Sequence, residues 1–367
     1  MFETSEIAQR LSGYLCAPVT RLSVLASGWE TTVFEFTLDS RSSSLANIPV
    51  GEPVVLRFYQ GSAADAKGAR EHTTIDRLSR SGYVVPTPYA FESDRRILGA
   101  PFMIMQRLAG GPLFAIKSFP QAFKTFSLGF FSFVRAQARL HKLDPGGVGL
   151  RDIPHAFAAS KMEASYPTEE VPLLDRVLAI IAERVEHGPL PGLRDALQNV
   201  SARASVFRAS KPTLVHMDYH PQNVMVKNTH VTGVIDWVNT DVGDRHLDAA
   251  TTSVILATSA MEHPRWMRDN IVGNSLRANF AAMYLPLYHA MAPLEFQRFR
   301  YCQAVAALLR LSMLGMMATR GPESVGFRPE AIREVTPGVV RLLSRYASRK
   351  SGVEVRLELA SPHVARS

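Results

Sequence analysis

The sequence predicts an α+β protein of two lobes, a small sheet-rich one followed by a larger helical one. Three features point there. β-prone runs crowd the chain before Leu108, and helical periodicity dominates after it. A β-hairpin then interrupts the helical part between Asn223 and Asp236. The chain has 367 residues, 46% of them hydrophobic and 20% charged, enough to build cores for two lobes. The expected division is residues 1–108 and 109–367, with no repeat, low-complexity segment or linker marking a further domain.

Each element follows from local pattern. Ser5 to Leu15 places Ile7, Leu11 and Leu15 on one helical stripe, with Ser5 as a candidate N-cap. Arg21–Leu25 and Thr32–Leu38 alternate as strands, joined through Ala26-Ser27-Gly28-Trp29-Glu30-Thr31. Asp39 to Pro53 is polar and reads as an exposed loop, and Val54–Phe58 as a buried strand carrying Arg57. A helix over Ala63 to Ser79 carries Lys67 and Glu71. The prolines of Gly82–Pro88 hold that segment extended. After a polar turn at Ser93–Arg96, Leu98–Met105 is the last strand of this half, and Gln106–Pro112 breaks the pattern. Helices are then expected at Gln121–Leu143, Leu173–Val185, Leu193–Phe207, Asp248–Ala260, Ile271–Met283 and Glu295–Met317. Arg341, Arg345 and Arg349 stack at i,i+4 on a terminal helix as a solvated face.

Composition excludes several classes. Two cysteines, Cys16 and Cys302, cannot make a disulfide framework or a structural zinc site, which fits a reducing cytoplasm. Glu3, Glu6 and Arg10 rule out a secretory signal at the N-terminus. The most apolar run, Ala304 to Met317, is interrupted by Arg310 and too short to span a bilayer, so no membrane partner is expected. Net charge is +8 and the pI is near 9.6. No zinc-finger spacing, aromatic–glycine RNA-binding signature or basic block accompanies that charge, so no nucleic-acid partner is expected either.

The chemistry concentrates between His216 and Asp248. Val224–Val226 and Val231–Ile235 flank a polar turn at Lys227–His230, a hairpin pattern. A hairpin returns the chain to its starting level, with strands about 5 Å apart. Asn223 at its entrance and Asp236 at its exit therefore share one end, and Asp218 lies one loop earlier. Two carboxylates and an amide oxygen converging without a bulky ligand set suit Mg²⁺.

The order His216-x-Asp218-x-x-x-x-Asn223, a hairpin, then Ile235-Asp236-Trp237, followed by Gly243-Asp244 and Asp248, resembles the aminoglycoside phosphotransferase and choline kinase-like family. Met217 before the catalytic aspartate and Trp237-Val238 after the metal aspartate depart from the protein-kinase pattern and favour the small-molecule branch. The resemblance implies a protein-kinase-like fold and Mg²⁺-dependent transfer of the γ-phosphate of ATP or GTP to a small-molecule hydroxyl. It makes Asp218 the catalytic base, Asn223 and Asp236 the metal ligands, and Ser27 and Gly28 part of a loop over the phosphates. It also makes Met105, Gln106 and Leu108 the adenine-contacting hinge. Arg57 stands where relatives often have lysine, and a guanidinium can bridge phosphate oxygens by two parallel hydrogen bonds. Glu71 is its expected orienting carboxylate; Lys67 is the rival cation, or simply an i,i+4 partner of Glu71. His216, His141, Asp244 and Asp248 are expected to be structural.

Three other readings compete. His216, Asp218 and His246 could form an iron-binding facial triad, but that requires a barrel where the sequence is helical. A non-catalytic nucleotide-binding relative and an atypical protein kinase share the fold. The acceptor is not legible, although an excess of Lys and Arg over Asp and Glu between Gly110 and Val215 disfavours a polycation.

Overall fold

A computed structural model describes residues 2–27, 31–61, 63–115, 124–150, 155–156, 171–208, 210–258 and 271–359. The N-terminal part is a five-stranded antiparallel sheet in the order β1-β2-β3-β5-β4. Its strands are β1 Val19–Ser27, β2 Thr31–Leu38, β3 Val54–Tyr59, β4 Pro88–Glu92 and β5 Phe102–Gln106. Successive residues of a strand face opposite sides, and β3 shows what that achieves. Val54, Leu56 and Phe58 join Phe34, Phe36 and Ile104 in a core covered by Ile7, Leu11 and Leu15 of helix α1 (Thr4–Leu15). Val55 and Arg57 turn to the other side and line a cleft. Helix α2 (Ala64–Arg80) lies on that side too, and its Glu71 is fully buried.

Several boundaries differ from the sequence reading, each for a local reason. Helix α1 starts at Thr4, so Ser5 sits inside the first turn and Glu3 takes the cap position without a side-chain bond. The 39–53 loop is not wholly exposed: Ile48 is buried, and the buried Ser42 hydroxyl donates to Leu15 O at 2.6 Å. The last strand begins at Phe102 because Asp94 caps a helical turn over Arg95–Leu98, which Gly99 closes at φ +81°. The helix expected over Leu193–Phe207 breaks at Arg203. Residues 121–123 and 259–260 of the expected helices lie outside the described residues.

After β5 the chain is mostly helical. α3 (Phe130–Leu140) is preceded by a π-turn over Thr125–Gly129, and α4 (Leu173–His187) and α5 (Arg194–Ala202) follow. α6 (Arg245–Thr258), α7 (Ile271–Met291), α8 (Phe296–Arg320) and α9 (Pro337–Ser351) complete the helical part. Helix α8 extends well beyond the apolar run read from sequence and, by length and composition alone, could cross a membrane. However, 72% of its apolar window is buried against the rest of the protein, and it serves as the central core helix. The solvated arginine face of α9 is as expected: Arg341, Arg345 and Arg349 are exposed.

Between these parts, β6 (Gly111–Pro112) pairs with β8 (Val224–Lys227), which pairs with β9 (His230–Val234) as the expected hairpin. Asn228 and Thr229 make its turn at φ +50° and +71°. Gly110 is required where the chain leaves the sheet: its φ is +91°, and a Cβ there would lie 2.2 Å from Val226 O. The same hairpin also holds the first lobe, since Val234 N–H donates to Val84 O at 2.8 Å.

A second short pairing, β7 (Thr213–Val215) with β10 (Asp241–Gly243), carries a buried ion pair. Arg176 on α4 meets Asp241 with two parallel hydrogen bonds of 2.6 and 2.9 Å, both side chains nearly inaccessible. Breaking such a pair leaves a buried charge uncompensated. Arg176→Met should therefore cost about 3–5 kcal/mol of unfolding free energy, read as a lowered urea midpoint. Adding Asp241→Leu should recover much of that loss.

Candidate active site

The two lobes enclose a cleft of about 2170 Å³. Its walls include Arg57 and Val55 of β3, Met105, Gln106 and Leu108 of the connecting segment, and Asp218, Asn223 and Asp236 of the hairpin region. Six of the expected site residues thus share one cavity with Asp218. Glu71 lies behind the cavity wall rather than in it. Gly28 falls outside the described residues; Ser27 ends β1 opposite Thr32.

The loop that carries Asp218 is fixed by carboxylates from below. Asp248, fully buried at the start of α6, accepts the Met217 N–H at 2.6 Å, His141 Nε2–H at 2.8 Å and Gln137 Nε2–H at 3.0 Å. Burial opposes its charge, but these donors hold its pKa below the ordinary carboxylate range. The bond to Met217 holds a residue at φ +60°, a backbone state costing about 1–3 kcal/mol outside glycine. Asp236 is the second such residue, at φ +68°. These two left-handed residues put the Asp218 and Asp236 carboxyls on the cleft wall.

His216 is neutral. Its Nδ1 accepts the Asp218 N–H at 3.3 Å, while Nε2–H donates to Ile235 O at 3.0 Å. Only an uncharged ring accepts at one nitrogen and donates at the other, and burial lowers its pKa accordingly. It is a brace between the Asp218 loop and the hairpin exit. Asp244 likewise braces, accepting from His246 and from Arg298 Nη1 at 3.0 Å. His246 uses both ring nitrogens there, the second accepting the Glu295 N–H, so it completes no facial triad.

Asn223 and Asp236 share one end of the ribbon: Ile235 N–H donates to Asn223 O at 2.9 Å. The Asn223 amide nitrogen is turned inward, 3.0 Å from Asp218 O, 3.3 Å from Asp218 Oδ2 and 3.0 Å from His220 Nε2. That leaves its amide oxygen without a hydrogen bond among the described residues. Asp236 uses one oxygen, Oδ1, to accept from Arg57 Nη2 at 2.7 Å. An unengaged amide oxygen and a carboxylate with an oxygen to spare are the donors a hard divalent cation takes, with water and phosphate completing its shell. The residues fit Mg²⁺. Among the described residues no three His, Cys, Asp or Glu cluster as an alternative metal cage.

Arg57 is nearly buried, with Asp236 on one side and Glu71 Oε2 3.2 Å from its Nε on the other. Burial disfavours its charge, but the two carboxylates outweigh this and raise its pKa. Glu71 is itself pushed upward by burial, opposed by Arg57; it accepts Tyr59 O–H at 2.6 Å and Trp237 N–H at 3.1 Å. Of the two cations weighed for this position, Glu71 orients Arg57. Lys67 lines the cleft nearer Gly326. Burial also acts against ionised Asp218, yet His220, through its charge and a hydrogen bond, and the Arg310 guanidinium bring its pKa down to about 2.

Sequence reasoning missed Arg310, Arg184 and Arg328. Arg310 was read only as an interruption of an apolar run, yet α8 delivers it to the cleft near Asp218. Arg328 spans the lobes, donating to Gln60 Oε1 at 2.9 Å and to the Thr32 hydroxyl. No motif marks these residues; only the packing of α4, α8 and the segment after α8 brings them here.

The phosphotransferase enzyme family model (APH) matches residues 21–294. The chain belongs to this family. Solved structures agree on the fold. A Ralstonia eutropha protein assigned to the aminoglycoside phosphotransferases is 16% identical over 95% of this chain and 99% of that one, with a TM-score of 0.58. A thermostable mutant of aminoglycoside phosphotransferase APH(4)-Ia, in ternary complex with AMP-PNP and hygromycin B, is 16% identical over 88% and 95%, with a TM-score of 0.57. The GDP complex of an aminoglycoside 2'-phosphotransferase-IIIa mutant is 13% identical over 95% and 99%, with a TM-score of 0.59. No curated protein matches the chain. The fold is therefore the protein-kinase-like fold of these phosphotransferases, with its small sheet-rich and larger helical parts.

Two outcomes follow from the loop anchoring. Asp248→Ala strands three buried donors and should cost about 3–5 kcal/mol, measured by chemical denaturation, with catalytic turnover falling further than stability alone explains. Asp218 has a folded pKa of about 2, below its ordinary 3.8. Its stabilising contribution is therefore complete above about pH 4 and fades as pH falls toward about 2. Between about pH 5 and about pH 3 the urea midpoint should drop less in Asp218→Asn than in the parent.

Proposed function

We propose that this protein is a Mg²⁺-dependent kinase that moves the γ-phosphate of ATP or GTP to a hydroxyl of a small molecule in the cytoplasm. The observation that carries this reading is the convergence of Asp218, the unengaged Asn223 oxygen and Asp236 on one cleft, facing the buried Arg57–Glu71 pair. Family membership and solved neighbours holding AMP-PNP or GDP support it.

Residues 1–108 act as the nucleotide-binding lobe and 109–367 as the catalytic and acceptor-binding lobe. The segment from Met105 to Leu108 offers backbone groups to the base, and Ser27 and Gly28 offer theirs to the phosphates. Asn223 and Asp236 would hold Mg²⁺, which would supply neutralisation of the phosphate charge there. Arg57 exchanges its bond to Asp236 for phosphate oxygens while Glu71 keeps the guanidinium in place. Asp218, ionised at neutral pH, accepts the acceptor's hydroxyl proton as the new O–P bond forms and the bond to the leaving phosphate oxygen breaks. Positioning and charge neutralisation supply most of the rate, which explains why the chain spends so many buried bonds on holding the loop still.

Nucleotide consumption with Mg²⁺ over a panel of hydroxylated metabolites and antibiotics tests the reading. Turnover on an acceptor should fall at least about 1000-fold in Asp218→Asn, with nucleotide binding retained. Asp236→Asn should instead weaken Mg²⁺-dependent nucleotide binding. Nucleotide binding without turnover on any acceptor would favour a regulatory protein, and phosphorylation of protein substrates an atypical protein kinase.

A further inference from the structure

The chain passes from the first lobe to the second at one end of the sheet. Val54 of β3 pairs with Gln106, where β5 runs into the connecting segment. Toward the other end Phe58 pairs with Phe102 and with Thr32 of β2. Six residues separate Val54 from Gln60, so at about 3.3 Å per residue Gln60 lies about 20 Å from the connection. A piece of the helical lobe reaches this far end. After α8 the chain folds into two short turns, Pro322–Val325 and Pro329–Glu334, with Gly326 between them at φ +81°. Gly326 N–H donates to Glu323 O and Phe327 N–H to Pro322 O, both at 3.0 Å, so the segment holds its own shape. Ala331 is buried in the main core, and Val325 and Phe327 pack against that core. The result is a stiff arm whose Arg328 crosses the cleft. Its Nε donates to Gln60 Oε1 at 2.9 Å and its Nη2 to the Thr32 hydroxyl. The backbones approach there as well: a Cβ on Gly61 would lie 3.8 Å from Gly326 O.

These two bonds differ in kind from the Arg57–Asp236 contact deeper in the cleft. Parting that ion pair uncovers the charge of the buried Arg57. Arg328 and Gln60 are half-buried, and both bonds join the cation to an uncharged side chain, so water can replace them at modest cost. Resting on the nucleotide-binding role given to the cleft above, we propose that Arg328 is a positioning residue that clasps the mouth of the cleft over bound nucleotide and lets go when the lobes part. Thr32 pairs with Ser27 at the root of the turn assigned to the phosphates, so the same clasp steadies that root. Arg328 touches no reacting atom in this scheme. It acts by slowing the opening through which nucleotide leaves.

The test follows the release of ATP bearing an N-methylanthraniloyl label from the full-length protein with Mg²⁺, by stopped-flow fluorescence. Arg328→Gln should speed release at least about tenfold and change association little. Thr32→Val keeps the side-chain shape, removes the acceptor and should act in the same direction. Combining the two should add little to Arg328→Gln, which has already removed that bond, and Arg328→Lys should restore part of the loss. A second comparison is made without nucleotide. Amide hydrogen exchange at residues 59–61 and 322–334 should quicken in Arg328→Gln, while the hairpin from Val224 to Val234 keeps its protection. Release at the parental rate in both variants overturns the proposal, as do additive effects or exchange that rises evenly along the chain. If Arg328→Gln does not fold, Thr32→Val and Arg328→Lys decide the matter by the same two measurements. Failure of labelled ATP to bind the parent counts against the kinase reading, and the exchange comparison still decides whether Arg328 clasps the lobes.

Discussion

The architecture turns on the buried contact of one arginine with two carboxylates. Arg57 comes from the middle of the sheet, Glu71 from the helix behind it and Asp236 from the far side of the cleft. Three charges out of water would be costly if any were alone, and the arrangement holds because each is compensated. Glu71 reaches further by accepting the Trp237 N–H, so the residue after Asp236 is tied to the first lobe by a second, uncharged bond. The network thus ties the two lobes together and places a positive charge beside the Asp236 carboxylate. Asp236 is less enclosed than its partners, its side chain 30% exposed, so it is the member most accessible to an incoming ligand.

The same principle operates beneath the Asp218 loop. Asp248 gathers a backbone N–H, a histidine and a glutamine, and Tyr284 extends the chain of bonds to Gln137 Oε1 at 2.6 Å. A rigid foundation permits strained residues above it, and two of the left-handed positions, Met217 and Asp236, sit where the backbone aims a carboxyl into the cleft. Charge in the site is divided accordingly. The Asp218 and Asp236 carboxylates share the cleft wall, and cations stand on either side of them, Arg57 toward the first lobe and Arg310 toward the helical wall.

Much of this was legible before folding was considered. The hairpin between Asn223 and Asp236 follows from β-prone runs separated by a polar turn, and its register brings its two ends together as expected. Arg57 and Glu71 were also paired correctly, because a buried strand offers its side chains with fixed alternation. Boundaries were less legible. The true start of the last strand depends on Asp94 capping a turn and Gly99 closing it, and neither leaves a periodic trace. The long helix α8, by contrast, was read almost to its ends: the expected span Glu295–Met317 is observed as Phe296–Arg320.

The sequence by itself determined the fold class, the hairpin and the meeting of Asn223 and Asp236 at one end of it, since those depend on residues close in the chain. Only the tertiary structure decided what lines the rest of the cleft. Arg184 and Arg310 are 126 positions apart, and Arg328 bonds a residue 268 positions away at Gln60. The physical reason is that local pattern records which face of a helix is buried. Which distant face it meets, and which charges are then left facing a shared cavity, is set by the packing of whole elements.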